Sequence, residues 1–237
     1  MKVDVLFLEE GAREAARRGS VTVVVDAIRA SATASTALAL GAKAVLPVLS
    51  VEEAAKYVGQ PFYRVAGERH GVKCEGFDYG NSPTELQKAK TALKGQTLVL
   101  STSNGTKMVN AVQDGAAAVF MGTTVNAEAV AKAAFKMASK LEKDIVLIGA
   151  GEYGQYAEED ACAARVIASH LHQLGASCPS DLLRDECPLT VFEATYSADE
   201  LRELGYEQDI EFCARKDFWD VAPVLQGKEL VPFRMMQ

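Results

Sequence analysis

The chain of 237 residues has no apolar run near the roughly 18 residues needed to span a bilayer. Its longest apolar stretches are short, such as Ile145 to Ala150. Met1 to Leu8 is broken by Asp4 and followed by Glu9 and Glu10, which does not read as a secretory leader. Positive charge is in deficit: 25 Lys plus Arg face 32 Asp plus Glu, a net charge of −7, so nucleic acid is not an expected partner. Cysteine is sparse, odd in number and scattered (Cys74, Cys162, Cys178, Cys187, Cys213), which excludes a disulfide framework and leaves reduced thiols as the expectation. Low-complexity tracts, internal repeats and long linkers are all missing. What is present, 49% apolar and 24% charged residues, is the composition of a globular protein and not of a disordered one. A soluble, cytoplasmic protein is expected, and a homo-oligomer is compatible with the sequence.

Short β-branched runs alternate with alanine-rich helical stretches as far as Gly175, which predicts an α/β fold with a mainly parallel sheet layered between helices. Strands are expected at Val3–Leu8, Val21–Val25, Ala44–Val48, Phe62–Ala66, Thr97–Leu100, Ala117–Met121 and Ile145–Gly149, each apolar enough to be covered on both faces. Ser50 with Glu53, and Ser82 with Pro83 and Glu85, are helix-start signals. After Gly175 four prolines appear, a capped helix is expected over Ser197–Leu204, and Val221–Val231 reads as a hairpin about Gln226-Gly227. Residues 1–237 form one functional unit, and 1–125 and 126–237 are the expected lobes if there are two.

Four segments follow strands and precede helices, which puts them at the carboxyl edge where open α/β sheets bind ligands. In Asp26-Ala27-Ile28-Arg29 an acid and a guanidinium could hold a metal and an anion, or simply pair with each other. Gly67-Glu68-Arg69-His70-Gly71, continuing to Pro83, is a glycine-rich, charged stretch long enough to suggest a functional loop. Ser101-Thr102-Ser103-Asn104-Gly105-Thr106 offers hydroxyls, an amide and helix N–H groups to a phosphate. Asn-Gly also signals a hairpin, but Met108, Val109 and Val112 are spaced for a helix face. Gly149-Ala150-Gly151-Glu152-Tyr153-Gly154 spells the dinucleotide fingerprint and would support a nucleotide-dependent oxidoreductase. Glu158, Glu159 and Asp160 at the following helix would repel a pyrophosphate, though they suit a metal. Cys178 to Arg184 fits C-x5-R, but Pro179, Leu182 and Leu183 spoil a thiolate cradle, and the His and Cys spacings match no zinc site.

In order along the chain, Val24-Val25-Asp26-Ala27-Ile28-Arg29-Ala30-Ser31, Ala66-Gly67-Glu68-Arg69, Glu75-Gly76-Phe77-Asp78-Tyr79-Gly80-Asn81-Ser82-Pro83, Ser103-Asn104-Gly105-Thr106 and Glu159-Asp160 resemble the 2-phosphosulfolactate phosphatase family. The resemblance covers nearly the whole chain and implies magnesium-dependent hydrolysis of 2-phosphosulfolactate to sulfolactate and phosphate, a step of coenzyme M formation. It implies an active site at strand carboxyl ends. Asp26, Arg29, Glu68 and Asp160 are its expected catalytic residues, and Mg2+ is to be held among Asp26, Glu68, Glu159 and Asp160. Asn81, Ser82, Ser103, Asn104, Gly105 and Thr106 are expected to bind substrate, with Arg69 taking its carboxylate or sulfonate. Ala32 departs from the pattern, standing where the family has a hydroxyl residue. Attack by metal-activated water and attack by a carboxylate both stay open. Ile28, in place of the second acid of a dehalogenase-type nucleophile motif, favours water. A non-catalytic anion-binding protein could use the same donors.

Overall fold

The structure is a computed structural model that describes residues 1–234, with every side chain among them except that of Lys90. Among the described residues ten strands form one sheet: β1 Val3–Phe7, β2 Val21–Val25, β3 Ala44–Pro47, β4 Tyr63–Arg69, β5 Val72–Lys73, β6 Thr97–Ser101, β7 Ala118–Met121, β8 Ile145–Gly149, β9 Pro223–Gln226 and β10 Glu229–Pro232. Their order is β1-β8-β2-β7-β9-β10-β3-β6-β4-β5. β8 lies between β1 and β2, so segments 1–125 and 126–237 share the sheet. Neighbouring residues of β2 and β8 pack on opposite faces: Val23 and Leu147 in one core cluster, Val24 and Ile148 in another. That alternation explains why these strands read as continuous apolar runs, since helices cover both faces.

The sheet consists of two parallel blocks, β1-β8-β2-β7 and β3-β6-β4, joined by the β9-β10 hairpin, which is antiparallel to β7 on one side and to β3 on the other. Three antiparallel steps make the blocks run in opposed directions. Strands in twisted sheets rotate by roughly 20 to 25° per step. The five steps from β2 to β6 therefore turn the blocks most of the way back towards each other. The carboxyl ends of β2 and β6 do meet: a Cβ on Gly105 would lie 2.8 Å from Asp26 Oδ2. Between the blocks runs the helix Ala30–Ala39, built of small residues and buried over Ala30–Leu38 on all sides.

Local signals hold where expected. Ser50 and Ser82 accept the N–H groups of Glu53 and Glu85 at their helix starts. The helix expected over Ser197–Leu204 is Tyr196–Glu203, capped instead by Thr195, whose hydroxyl accepts from Ala198 N–H. The larger correction concerns Gly67-Glu68-Arg69, read as loop but forming the end of β4. β6 and the short β5 supply ladder partners on both sides, and tertiary pairing overrides a sequence with no strand pattern.

Candidate active site

A narrow cleft of about 40 Å³ opens where the ends of β2, β4, β6 and β8 converge, lined by Asp26, Glu68, Asn81, Ser103, Asn104 and Glu152 among others. Asp26 follows β2 directly, and its Oδ1 accepts the Ala30 N–H at 3.0 Å, with the Gly105 N–H also directed at the carboxylate. Glu68 is held by the loop after β6: its Oε1 accepts from Ser103 N–H at 2.8 Å, and its Oε2 accepts from Gly71 N–H at 3.0 Å and from the Ser103 hydroxyl at 3.3 Å. The helix expected after this loop is present at Gly105–Val112. Its loop, read from sequence as a phosphate cradle, directs the Ser103 and Gly105 amides at the protein's own carboxylates.

Too many acids share this space. Burial, and the nearby charges of Glu68 and Glu159, push the Asp26 carboxyl up to about 6. Burial first, then Asp26, Glu159, Glu200 and Glu68, push Glu152 up to about 8, even though Asn104 Nδ2 donates to it at 3.1 Å. Asn81 is 5% exposed, and its Oδ1 has no partner although the residue lines the cleft. An unsatisfied amide end beside an acid cluster is the expected state of a polar site that completes itself with a ligand.

Arg29 also lines the cleft, but its charge is committed. Its Nη1 donates to Asp209 Oδ2 at 2.8 Å, its Nη2 to the Gly71 carbonyl at 3.0 Å, and its guanidinium lies 4.6 Å from the centre of the Tyr206 ring. The pairing considered from the sequence was with Asp26, whereas the partner is Asp209, 180 residues away. Asp209 is wholly buried and also accepts from the hydroxyls of Ser82 and Thr84. Ser82 is thereby occupied as helix cap and Asp209 donor. Thr106 is buried, with its hydroxyl donating to the Thr102 carbonyl.

Arg69 lies outside the cleft lining, because successive strand residues face opposite sides and Glu68 takes the cleft side. Its Nη2 donates to Ser101 Oγ at 2.9 Å. Asp160 is a clamp between loops: Oδ1 accepts from Ala27 N–H at 2.7 Å and Oδ2 from Gly151 N–H at 2.8 Å. Burial, with Asp26 and Glu159 nearby, holds its carboxyl well above the ordinary range. Glu159 accepts from the Ser197 hydroxyl. Ala32, where a hydroxyl was expected, is fully buried in the core.

The residues missed from sequence are Glu152, Asp209, Glu200, His70 and Tyr153. Glu152 had a signal, since it sits in a loop after a strand. Asp209, on the helix Glu207–Cys213, had none. The glycine fingerprint is a tight turn: Glu152 and Gln155 exchange backbone hydrogen bonds around Tyr153-Gly154, and the Gly151 amide that a pyrophosphate would need is given to Asp160. Cys178 donates to the Ala168 carbonyl, and burial pushes its thiol up, which suits an inert side chain.

Among the described residues no three Asp, Glu, His or Cys side chains converge into a ready metal cage. Magnesium does not need one, since it keeps several waters and takes one or two carboxylates plus substrate oxygens. Asp26, Glu68 and Glu152 supply hard oxygen donors around one cleft, and their crowding favours a divalent cation. The donor set fits magnesium.

Fold and site thus define an α/β protein whose strand ends converge on a buried acid cluster with amide side chains at its edge. The chain belongs to the 2-phosphosulpholactate phosphatase family, whose model matches residues 6–228. It is 37% identical over 233 residues to a probable 2-phosphosulfolactate phosphatase of Carboxydothermus hydrogenoformans, covering 94% of this chain and 92% of that protein. A protein of the same description from Clostridium acetobutylicum is 31% identical, covering 98% of this chain and all of the relative. No helix among the described residues is long and apolar enough to cross a membrane.

Proposed function

We propose that the protein is a magnesium-dependent phosphatase of the cytoplasm that hydrolyses 2-phosphosulfolactate, or a similar small phosphorylated hydroxy acid, to the free acid and phosphate. The family match and the relatives' names support the reaction class and substrate. One observation carries the cation requirement: the cleft gathers Asp26, Glu68, Glu152 and Glu200, while the lining cation Arg29 is already paired with Asp209. A phosphate ester entering that field meets like charges at close range, so a positive counter-charge must enter with it.

Asp26 with Glu68 would hold Mg2+, and Glu152, Glu159 and Asp160 stand around them as further negative charge. Bound there, the ion supplies charge neutralisation on the phosphoryl oxygens and acidifies a water. The chain's own groups do the rest. The Ala30 and Ser103 amides fix the carboxylates of Asp26 and Glu68. Asn104 would offer amide N–H to the phosphoryl oxygens and the unpartnered Asn81 Oδ1 a further oxygen to the ion, with Arg29 a fixed positive charge on the wall.

The test is phosphate release from phosphorylated hydroxy acids in EDTA and after magnesium is restored. Activity is expected only with the ion. Asp26→Asn, which keeps size and removes charge, should raise the magnesium concentration for half-maximal rate and recover part of the rate at high magnesium. Full activity in a verified metal-free preparation would overturn the proposal.

A further inference from the structure

The sequence points to Arg69 for the substrate's carboxylate or sulfonate, but that side chain lies outside the cleft lining. Most of the donors that do line the cleft are spent on the protein's own groups. Arg29 serves Asp209 and the Gly71 carbonyl, and the Ser103 hydroxyl serves Glu68. Asn104 Nδ2 serves Glu152, the Ser197 hydroxyl serves Glu159, and the Tyr153 hydroxyl serves Glu200 at 2.9 Å. His70 stands apart. It lines the cleft, it is exposed, and among the described residues its ring meets a single polar group, the Tyr153 hydroxyl at 3.4 Å from Nδ1. A contact that long is weak and leaves the tautomer free, and an imidazole keeps at least one N–H to donate whether neutral or protonated.

The backbone places this ring. β4 and β5 form a hairpin with Arg69 opposite Val72, so His70 and Gly71 are its two central residues, at φ 53° and 70°. Two left-handed centres define the type I′ turn, which asparagine and glycine enter most readily. The turn is tied to the site through Gly71: its N–H donates to Glu68 Oε2 at 3.0 Å, and its carbonyl accepts from Arg29 Nη2 at 3.0 Å. The ring of Tyr153 lies nearly parallel to the imidazole, with centres 5.9 Å and planes 18° apart, which restricts its swing. Charge makes the donor decisive. Asp26, Glu68, Glu152 and Glu200 all line the cleft, so a substrate that carries a second acidic group is repelled there unless a donor meets that group.

We propose that His70 is a specificity-determining residue: its imidazole N–H donates to the carboxylate or sulfonate of the substrate, and so selects phosphate esters of hydroxy acids over esters of neutral alcohols. The proposal rests on the phosphatase reading for the phosphoryl group. It moves the acid-binding role one residue along, from the strand position that faces away to the turn that faces the cleft.

The experiment compares O-phospholactate with isopropyl phosphate as substrates of the magnesium-loaded protein. The second ester has a methyl group where lactate has its carboxylate and is otherwise the same. Wild type is expected to favour O-phospholactate in kcat/KM. His70→Gly removes the ring and suits the left-handed backbone. It should raise KM for O-phospholactate by about tenfold or more and shrink the ratio of kcat/KM between the two esters by about the same factor. His70→Asp also tolerates a left-handed turn and puts a like charge at the same point, so it should shrink the ratio further, and it serves if glycine loosens the hairpin. Equal losses for both esters would overturn the proposal, because a merely structural residue would affect them alike. So would a ratio that neither variant changes, or a wild-type preference for isopropyl phosphate. If wild type hydrolyses neither ester, the phosphatase reading falls, and calorimetry with O-phospholactate decides the role of His70 by itself. Binding weakened about tenfold by His70→Gly would uphold the donor, whereas unchanged binding or none would overturn it.

Discussion

Replacing Glu152 by Gln should make the metal-free protein less sensitive to alkali. In the folded chain Glu152 is pushed from an ordinary 4.5 up to about 8 by burial and by the charges of Asp26, Glu159, Glu200 and Glu68. A carboxyl raised in this way costs nothing below pH 4.5, where it is protonated in both states. As pH climbs towards 8 the unfolded chain ionises freely while the folded one resists, so stability is lost through that window and the loss is complete above it. Each tenfold change in proton affinity is worth about 1.4 kcal/mol. The displacement thus sets a ceiling of roughly 5 kcal/mol, and discounting for solvent screening at a partly exposed group leaves roughly 2 to 3 kcal/mol. Asp26, at about 6, adds to the loss with the same sign. Urea denaturation of the metal-free protein from pH 5 to 9 should show this decline. Glu152→Gln, whose side-chain oxygen can still accept from Asn104, should remove about 2 kcal/mol or more of it. Saturating magnesium should flatten the wild-type curve most at the alkaline end. Parallel curves for mutant and wild type would refute the reasoning, because the acid cluster would then not be strained.

Three further outcomes can be checked directly. Asp209→Ala leaves the Arg29 guanidinium buried without its carboxylate, so thermal or chemical melting should show a loss of about 3 to 5 kcal/mol. Gly105→Ala places a methyl 2.8 Å from Asp26 Oδ2 and 2.9 Å from Ala30 Cβ. It should lower kcat by about tenfold or more, with a stability cost of about 1 to 3 kcal/mol, read from kinetics and melting side by side. Cys178→Ser removes a half-buried thiol far in role from the cleft, so turnover per folded molecule should match the parent, and a loss of several orders of magnitude would revive the C-x5-R reading.

Periodicity, capping and the alternation of apolar runs with helical stretches are properties of neighbouring residues, and they made most of this fold legible in the sequence. Six of the seven expected strands end within a residue of their observed limits, and the helix expected at Glu158, Glu159 and Asp160 is present over Glu158–Gln173. The motif segments around Asp26, Glu68, Asn81 and Asn104 come together in one cleft, although Asp26 follows a strand of one parallel block and Glu68 and Asn104 belong to the other, whose strands run the opposite way. Three matters depended on contacts between distant segments. The β9-β10 hairpin was visible, but its place in the middle of the sheet was not, since pairing partners are chosen by burial and twist. Glu68 and Arg69 are both expected at the site from sequence, but β4 extends through both and turns one towards the cleft and the other towards Ser101. Arg29 and Asp209 lie 180 residues apart, and only the packing of the helix Glu207–Cys213 against the rest of the fold unites them. Electrostatics is the clearest case. A sequence counts acids, whereas the raised proton affinities of Asp26, Glu152 and Asp160 arise from how closely folding crowds them and how far it removes them from water.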